Sequence, residues 1–227
     1  MMNPSAPSIH THIQSATAQL GAAVPQLRLV QTRTSFAQPQ LSETQSARAP
    51  LRVHRLSTED TAWLPMLVEL LIDNVHRGAS LGFLAPLSPS AALSHWQGVL
   101  AKLGPHRSLW IASENANPGT MVHGAVQLSL CPHANGHHRA EVQCMMVHSR
   151  SRGRGLASQL MNRVECAAIA KGRSLLVLDT PAGSQAEAVY AHLGWQRAGE
   201  IPDYDACAEG RLHSTARYFK RLQAPMG

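Results

Sequence analysis

Hydrophobic and polar positions divide the chain near residue 50. Before that point apolar residues follow no period; after it they recur with strand or helix spacing. Residues 51–56 alternate Leu51 and Val53 with polar neighbours and predict a first strand. Ser57-Thr58-Glu59-Asp60 is a helix-start signal, and residues 63–74 carry a helical apolar stripe. Residues 77–88 read as a loop that holds Phe83 and several leucines, and 90–103 as a second helix. Alternating strands are predicted over 108–113 and 121–130, joined through Asn117-Pro118-Gly119. A strand at 140–148 runs into a Gly-rich turn and a helix to about Ala170, with Gly172 at its C-cap. A short apolar strand over 174–178 ends in Asp179-Thr180; a helix over 185–193 is broken by Gly194; a last strand covers 216–222. No internal repeat is present. This succession predicts a mixed α/β layered fold.

Composition then sets the limits. The chain has 227 residues, 44% apolar and 15% charged, enough to bury a core. No apolar run approaches the roughly 18 residues of a membrane-spanning helix, so no membrane partner is expected. Residues 1–50 hold three bases (Arg28, Arg33, Arg48) and one acid (Glu43) among Ser, Thr, Ala and Gln. They are expected to be a disordered extension, a transit-like segment or translation from an upstream start. Residues 51–222 are expected to form one domain and 223–227 a tail. The net charge of +6 is modest. Only Arg150, Arg152 and Arg154 cluster densely, and local field matters more than the total.

The four cysteines (Cys131, Cys144, Cys166, Cys207) form no CxxC pair, which fits a reduced, cytoplasmic setting, with organelle import the alternative if the first fifty residues are a transit peptide. Cys144 and Cys166 fall in apolar patterns and are expected to be buried. His133, His137 and His138 have no helical spacing and no acid or Cys to complete a set, so no metal site is expected.

The strongest chemical signal is Arg152-Gly153-Arg154-Gly155-Leu156-Ala157, set between a strand and a helix. Glycines let backbone N–H groups approach an anion, the helix N-terminus favours negative charge, and arginines close on phosphate oxygens. The stretch lacks the Lys-Ser/Thr ending of a P-loop and the spacing of a dinucleotide fold, which lowers kinase-like and hydride chemistry.

These residues resemble motif A of the GNAT N-acetyltransferases, R-x-x-G-x-A after a strand ending Met145-Met146-Val147. The downstream "SQAEAVYAHLGW" resembles motif B, with Ala186, Tyr190 and Gly194 in step; Gly183 and Trp195 stand where Asn and Phe are common. Within the family, "NGHHRAEVQCMMV", "LDTPAGSQAEAVY", "GRLHSTARYFK" and "GASLGF" resemble members that detoxify an amino-acid-like toxin. The likeness spans about residues 51–222. It implies a mixed, mostly antiparallel sheet flanked by helices, with splayed central strands. It implies acetyl-CoA as co-substrate, its pyrophosphate on residues 152–157, its pantetheine arm along Met145, Met146 and Val147, and a further contact at Ser184. It also implies Tyr190 as the acid that protonates the leaving thiolate.

Acetyl transfer to an amine needs a base, because a free amine near pKa 10 is mostly protonated at neutral pH. Glu141 and Asp179 are the candidates, on strands expected to be neighbours at the splay. The backbone N–H near Met146 or Val147 is the candidate oxyanion donor. Phe83, Trp96 and Tyr204 are candidate pocket walls, and Asp203 and Asp205 candidates to attract an ammonium group. The expected activity is acetylation of a small-molecule amine, in detoxification or resistance. The alternatives are another amine (a protein N-terminus, a polyamine, an antibiotic), a non-catalytic acyl-CoA-binding regulator and, most distantly, a nucleic-acid module using the arginine cluster. Oligomeric state is left open.

Overall fold

The computed structural model describes residues 50–223. The expectations for the first 49 residues and for 224–227 lie outside the described residues. Seven strands form one sheet in the order β1-β2-β3-β4-β5-β7-β6. They are β1 (Arg52–Leu56), β2 (Arg107–Ser113), β3 (Val122–Leu130), β4 (Arg139–Val147), β5 (Leu175–Pro181), β6 (Gln196–Ala206) and β7 (Leu212–Arg221). Every pairing is antiparallel except β4 with β5. Four helices pack on this sheet: α1 (Leu64–Val75), α2 (Pro89–Leu100), α3 (Leu156–Ala170) and α4 (Gln185–His192). The mixed, mostly antiparallel sheet matches the expected architecture. None of the described helices is long and apolar enough to cross a membrane.

Local chemistry explains the helix starts. Pro65 and Pro89 occupy first-turn positions where their missing N–H costs nothing. The Ser88 hydroxyl caps α2 by accepting from Ala91 N–H at 3.2 Å. Leu67, Leu70, Leu71 and Val75 form the one-sided stripe that α1 buries, with Trp63 and Trp96 beside it. Trp96 is fully buried in this core, so it lines no pocket.

Strand alternation serves two cores. Leu109 and Ile111 of β2 face α1 and α2, whereas Trp110 and Ala112 face α3. With both faces covered, β3 is buried over nearly its whole length. In β4 the alternation reverses. Ala125 pairs with Met146 and Gln127 with Gln143, so Cys144 and Met145 together oppose Val126. Cys144 sits at φ 50° in this bulge. Ala140 and Val142 therefore face α3, but Met146, also an even-numbered position, faces α1 and α2.

Two expectations need correction. Residues 196–206 form a full strand where no element was expected. β6 is an edge strand, exposed almost throughout, so no apolar alternation marks it. Its Pro202 falls inside a register shift against β7, where no ladder donor is required. Cys166 is exposed rather than buried, because Val164 and Ala168 take the inward positions of α3. The remaining boundaries move by a few residues, most at the last strand, which begins at Leu212.

Candidate active site

The Gly-rich turn is built as an anion cradle. After a short 3-10 turn over Ser149–Ser151, Gly153 and Gly155 adopt φ 73° and 70°, the left-handed region that favours glycine. Alternating left-handed positions turn successive N–H groups toward one concavity. Helix α3 then opens at Leu156 with no side-chain cap and no acid in its first turn. Its first N–H groups have no intrahelical acceptor, and Arg152 and Arg154 closely precede them in the chain. These features fit a phosphate-bearing ligand.

Two side chains anchor the turn from below. The Asp73 carboxylate on α1 accepts from Ser149 N–H and Ser149 Oγ, each at 2.8 Å, and from Arg77 Nε at 3.0 Å. Burial pushes the Asp73 carboxyl up, but these hydrogen bonds and nearby His148 outweigh it and hold the pKa below its ordinary value. On β3, His123 Nδ1 shares a 2.7 Å hydrogen bond with the buried Ser151 hydroxyl. Burial, then the Arg154 charge, lowers the His123 pKa and favours the neutral ring. Neither anchor was anticipated. Asp73 lies 76 residues from Ser149, and no local pattern marks such a pair.

Beside the turn the sheet opens. β4 and β5 pair only through Arg139↔Leu175, Ala140↔Leu176 and Glu141↔Val177. Past that point β4 continues to Val147 and β5 to Pro181 without meeting. The β4 main chain at Met145, Met146 and Val147 therefore lacks a β5 partner on that side. Ser184 occupies the N-cap position of α4 without a side-chain capping bond, its hydroxyl 3.3 Å from that of Thr180.

Register places the two candidate bases on one face. Glu141 pairs with Val177, and Asp179 lies two residues further along β5. The same face holds Ser129 and Gln127 of β3 and, through β2, Leu109 of the α1–α2 core. Glu141 accepts from Gln143 Nε2 at 2.9 Å and makes no ion pair with Arg139 among the described residues. Asp179 is exposed. The Cys144 thiol feels the charges of Arg107, Glu141 and Asp179, but burial above all pushes its pKa up to about 11, so it stays protonated.

Tyr190 belongs to the opposite core, packed with Trp195 and Tyr218 at ring-centroid distances of 6.1 and 6.0 Å. Burial, then the Asp179 charge, raises its pKa to about 12. Phe83 is half-buried and meets His95 of α2 edge-on at 5.2 Å. Its loop reaches across to the β6–β7 hairpin, where Ala85 N–H donates to Ala208 C=O at 2.9 Å. Asp205 is half-buried and accepts from Thr215 Oγ1 at 3.4 Å. No group of His, Cys, Asp and Glu suited to a metal ion occurs among the described residues.

Residues 105–197 match the acetyltransferase (GNAT) domain family. Solved structures share the fold at low identity. An N-acetyltransferase from Staphylococcus aureus Mu50 is 19% identical with a TM-score of 0.61, over 77% of this chain and 99% of its own. A putative acetyltransferase from Salmonella typhimurium, solved with its cofactor acetyl-CoA, is 16% identical with a TM-score of 0.59, over 78% and 97%. A ribosomal-protein-alanine N-acetyltransferase from Brucella melitensis is 19% identical with a TM-score of 0.57, over 75% and 99%.

Proposed function

We propose that this chain, whose residues 105–197 match the acetyltransferase (GNAT) domain family, is an acetyl-CoA-dependent acyltransferase that acetylates the amine of a small, amino-acid-like molecule. The observation that carries this reading is the joining of the anion cradle to the open β4–β5 wedge, with Glu141 and Asp179 on one face of it. Motif likeness to the tabtoxin-resistance acetyltransferase supports a role in detoxification or resistance.

Acetyl-CoA supplies an activated thioester carbonyl. The residues of this chain do the rest. Gly153 to Ala157, with Arg152 and Arg154, hold the pyrophosphate by N–H donation and charge. Met145, Met146 and Val147 offer unpaired backbone groups to the pantetheine arm, and Ser184 adds a contact from the start of α4. Backbone N–H at Met146 or Val147 stabilises the developing oxyanion. Glu141 or Asp179 takes the proton from the acceptor ammonium, leaving a neutral nitrogen to attack the carbonyl. Tyr190, kept protonated by its surroundings, returns a proton to the departing sulfur. Phe83 and Asp205 border the acceptor, one as an apolar wall and one as a counter-charge.

Thiol release across an amine panel, together with the shift of melting temperature by acetyl-CoA, tests the reading. Acceleration by an amino-acid-like amine supports it. Acetyl-CoA binding with no release for any amine sinks catalysis and favours an acyl-CoA-binding regulator. Release confined to peptide N-termini shifts the acceptor class.

A further inference from the structure

The geometry points to Arg217 as the residue that selects an acceptor bearing a carboxylate as well as an amine, an inference that rests on the amine acetylation proposed above. Arg217 lies on β7, directly across from Asp179 and on the same face as Glu141. It lines a cavity of about 430 Å³ together with Glu141 and Arg139. Cross-strand neighbours of opposite charge ordinarily form an ion pair. Here neither Arg217 nor Asp179 has an ion-pair partner among the described residues.

The reason is Tyr204. Arg217 is drawn away from Asp179 to donate from Nη2 to the Tyr204 hydroxyl at 3.0 Å. Its guanidinium carbon lies 5.4 Å from the centre of the Tyr204 ring. Tyr204 is carried by the irregular part of β6, where register shifts between Ile201 and Asp205 and Asp203 sits at φ 49°. Aspartate adopts this left-handed conformation more readily than most residues, and the turn it makes is followed at once by the exposed Tyr204 ring that meets Arg217. The ring and hydroxyl engage one side of the guanidinium and leave further N–H donors open. A planar fork of donors with no counter-ion matches a carboxylate better than any neutral group.

The charges on this face are therefore held apart rather than neutralised. Carboxylates at Glu141 and Asp179 attract an ammonium group, and the guanidinium of Arg217 attracts an anionic one. Arg139, also without an ion pair among the described residues, adds positive charge to the lining of the same cavity. A zwitterionic acceptor complements this arrangement; a simple polyamine leaves Arg217 uncompensated.

Matched amines test the inference: lysine against cadaverine, and ornithine against putrescine. With full-length protein and acetyl-CoA, kcat/KM should favour the carboxylate-bearing member of each pair by about 10-fold or more, the discrimination expected when a charged partner is lost. In Arg217→Ala that preference should collapse by a similar factor, chiefly through KM. Arg217→Lys should retain part of it, as a point charge without the fork. An unchanged preference in Arg217→Ala, or no preference in the parent protein, overturns the assignment. Calorimetric binding of lysine and cadaverine to protein saturated with coenzyme A needs no turnover. Arg217-dependent lysine binding without acetylation would break the catalytic reading alone. Acetylation with equal binding of both amines would break the Arg217 assignment alone.

Discussion

The two halves of the site are made differently. The anion-binding half is contiguous: the end of β4, the Gly-rich turn and the start of α3 follow one another over residues 145–157. The acceptor half is assembled from distant pieces. Glu141 comes from β4, Asp179 from β5, Arg217 from β7, Tyr204 from β6 and Phe83 from the loop ahead of α2. The first half is specified by local backbone conformation, so substitutions there should act on acetyl-CoA. The second depends on sheet register and side-chain charge, so substitutions there should act on the amine.

The largest expected effect tests that division directly. Glu141→Gln combined with Asp179→Asn should lower turnover by about 10²- to 10⁴-fold, the range of general base catalysis. Acetyl-CoA affinity by calorimetry should move less than about 2-fold, well under the tenfold that 1.4 kcal/mol produces. Equal loss of turnover and coenzyme binding would erase the division. Gly155→Val should do the reverse. A β-branched residue at φ 70° costs about 1–2 kcal/mol, so acetyl-CoA should bind about 10-fold more weakly, with the ranking of amines preserved.

Asp73→Asn sharpens the comparison because α1 serves the turn without touching it in sequence. Hydrogen bonds to a charged group contribute about 1.5–3 kcal/mol, and the variant weakens rather than deletes them. The Kd for acetyl-CoA should rise about 3- to 10-fold; an unchanged Kd would make the Asp73–Ser149 contact purely architectural. The charge on Asp73 is present above its ordinary titration range and is lost only as pH falls through its depressed folded value. Its effect should therefore be flat at neutral pH.

The smallest expected effect is global. Burial lowers the pKa of His54, His95 and His123. Their neutral forms favour the fold above the unfolded imidazole value of about 6.5, and that stability drains away as pH falls below it. Melting temperature should drop by a few degrees from pH 7 to pH 5. In His123→Gln part of that dependence should vanish.

The same contrast decides what was legible from residue order. The turn was readable because its glycines and arginines are neighbours and because a strand and a helix flank it. Glu141 and Asp179 were readable as candidates, but their common face follows from the β4–β5 register. β6 escaped notice because an exposed edge strand needs no apolar period, and Tyr204 and Arg217 escaped with it as a pair. The β4 bulge was equally silent. Cys144-Met145-Met146 reads as an ordinary apolar run, and only the pairing with β3 reveals the extra residue.

That bulge gives β4 one residue more than β3 requires between Gln143 and Met146. Replacing Met145 by another apolar residue of similar volume leaves each neighbour on its own side of the sheet. Removing a single codon there leaves one residue opposite Val126, so Met146 and Val147 keep their partners on β3 and the sides they now occupy. An in-frame deletion of one residue at the bulge is thus the change in length this strand is best able to absorb. Its cost is the local bend and the left-handed turn at Cys144, which lie where the acceptor face meets the coenzyme cradle.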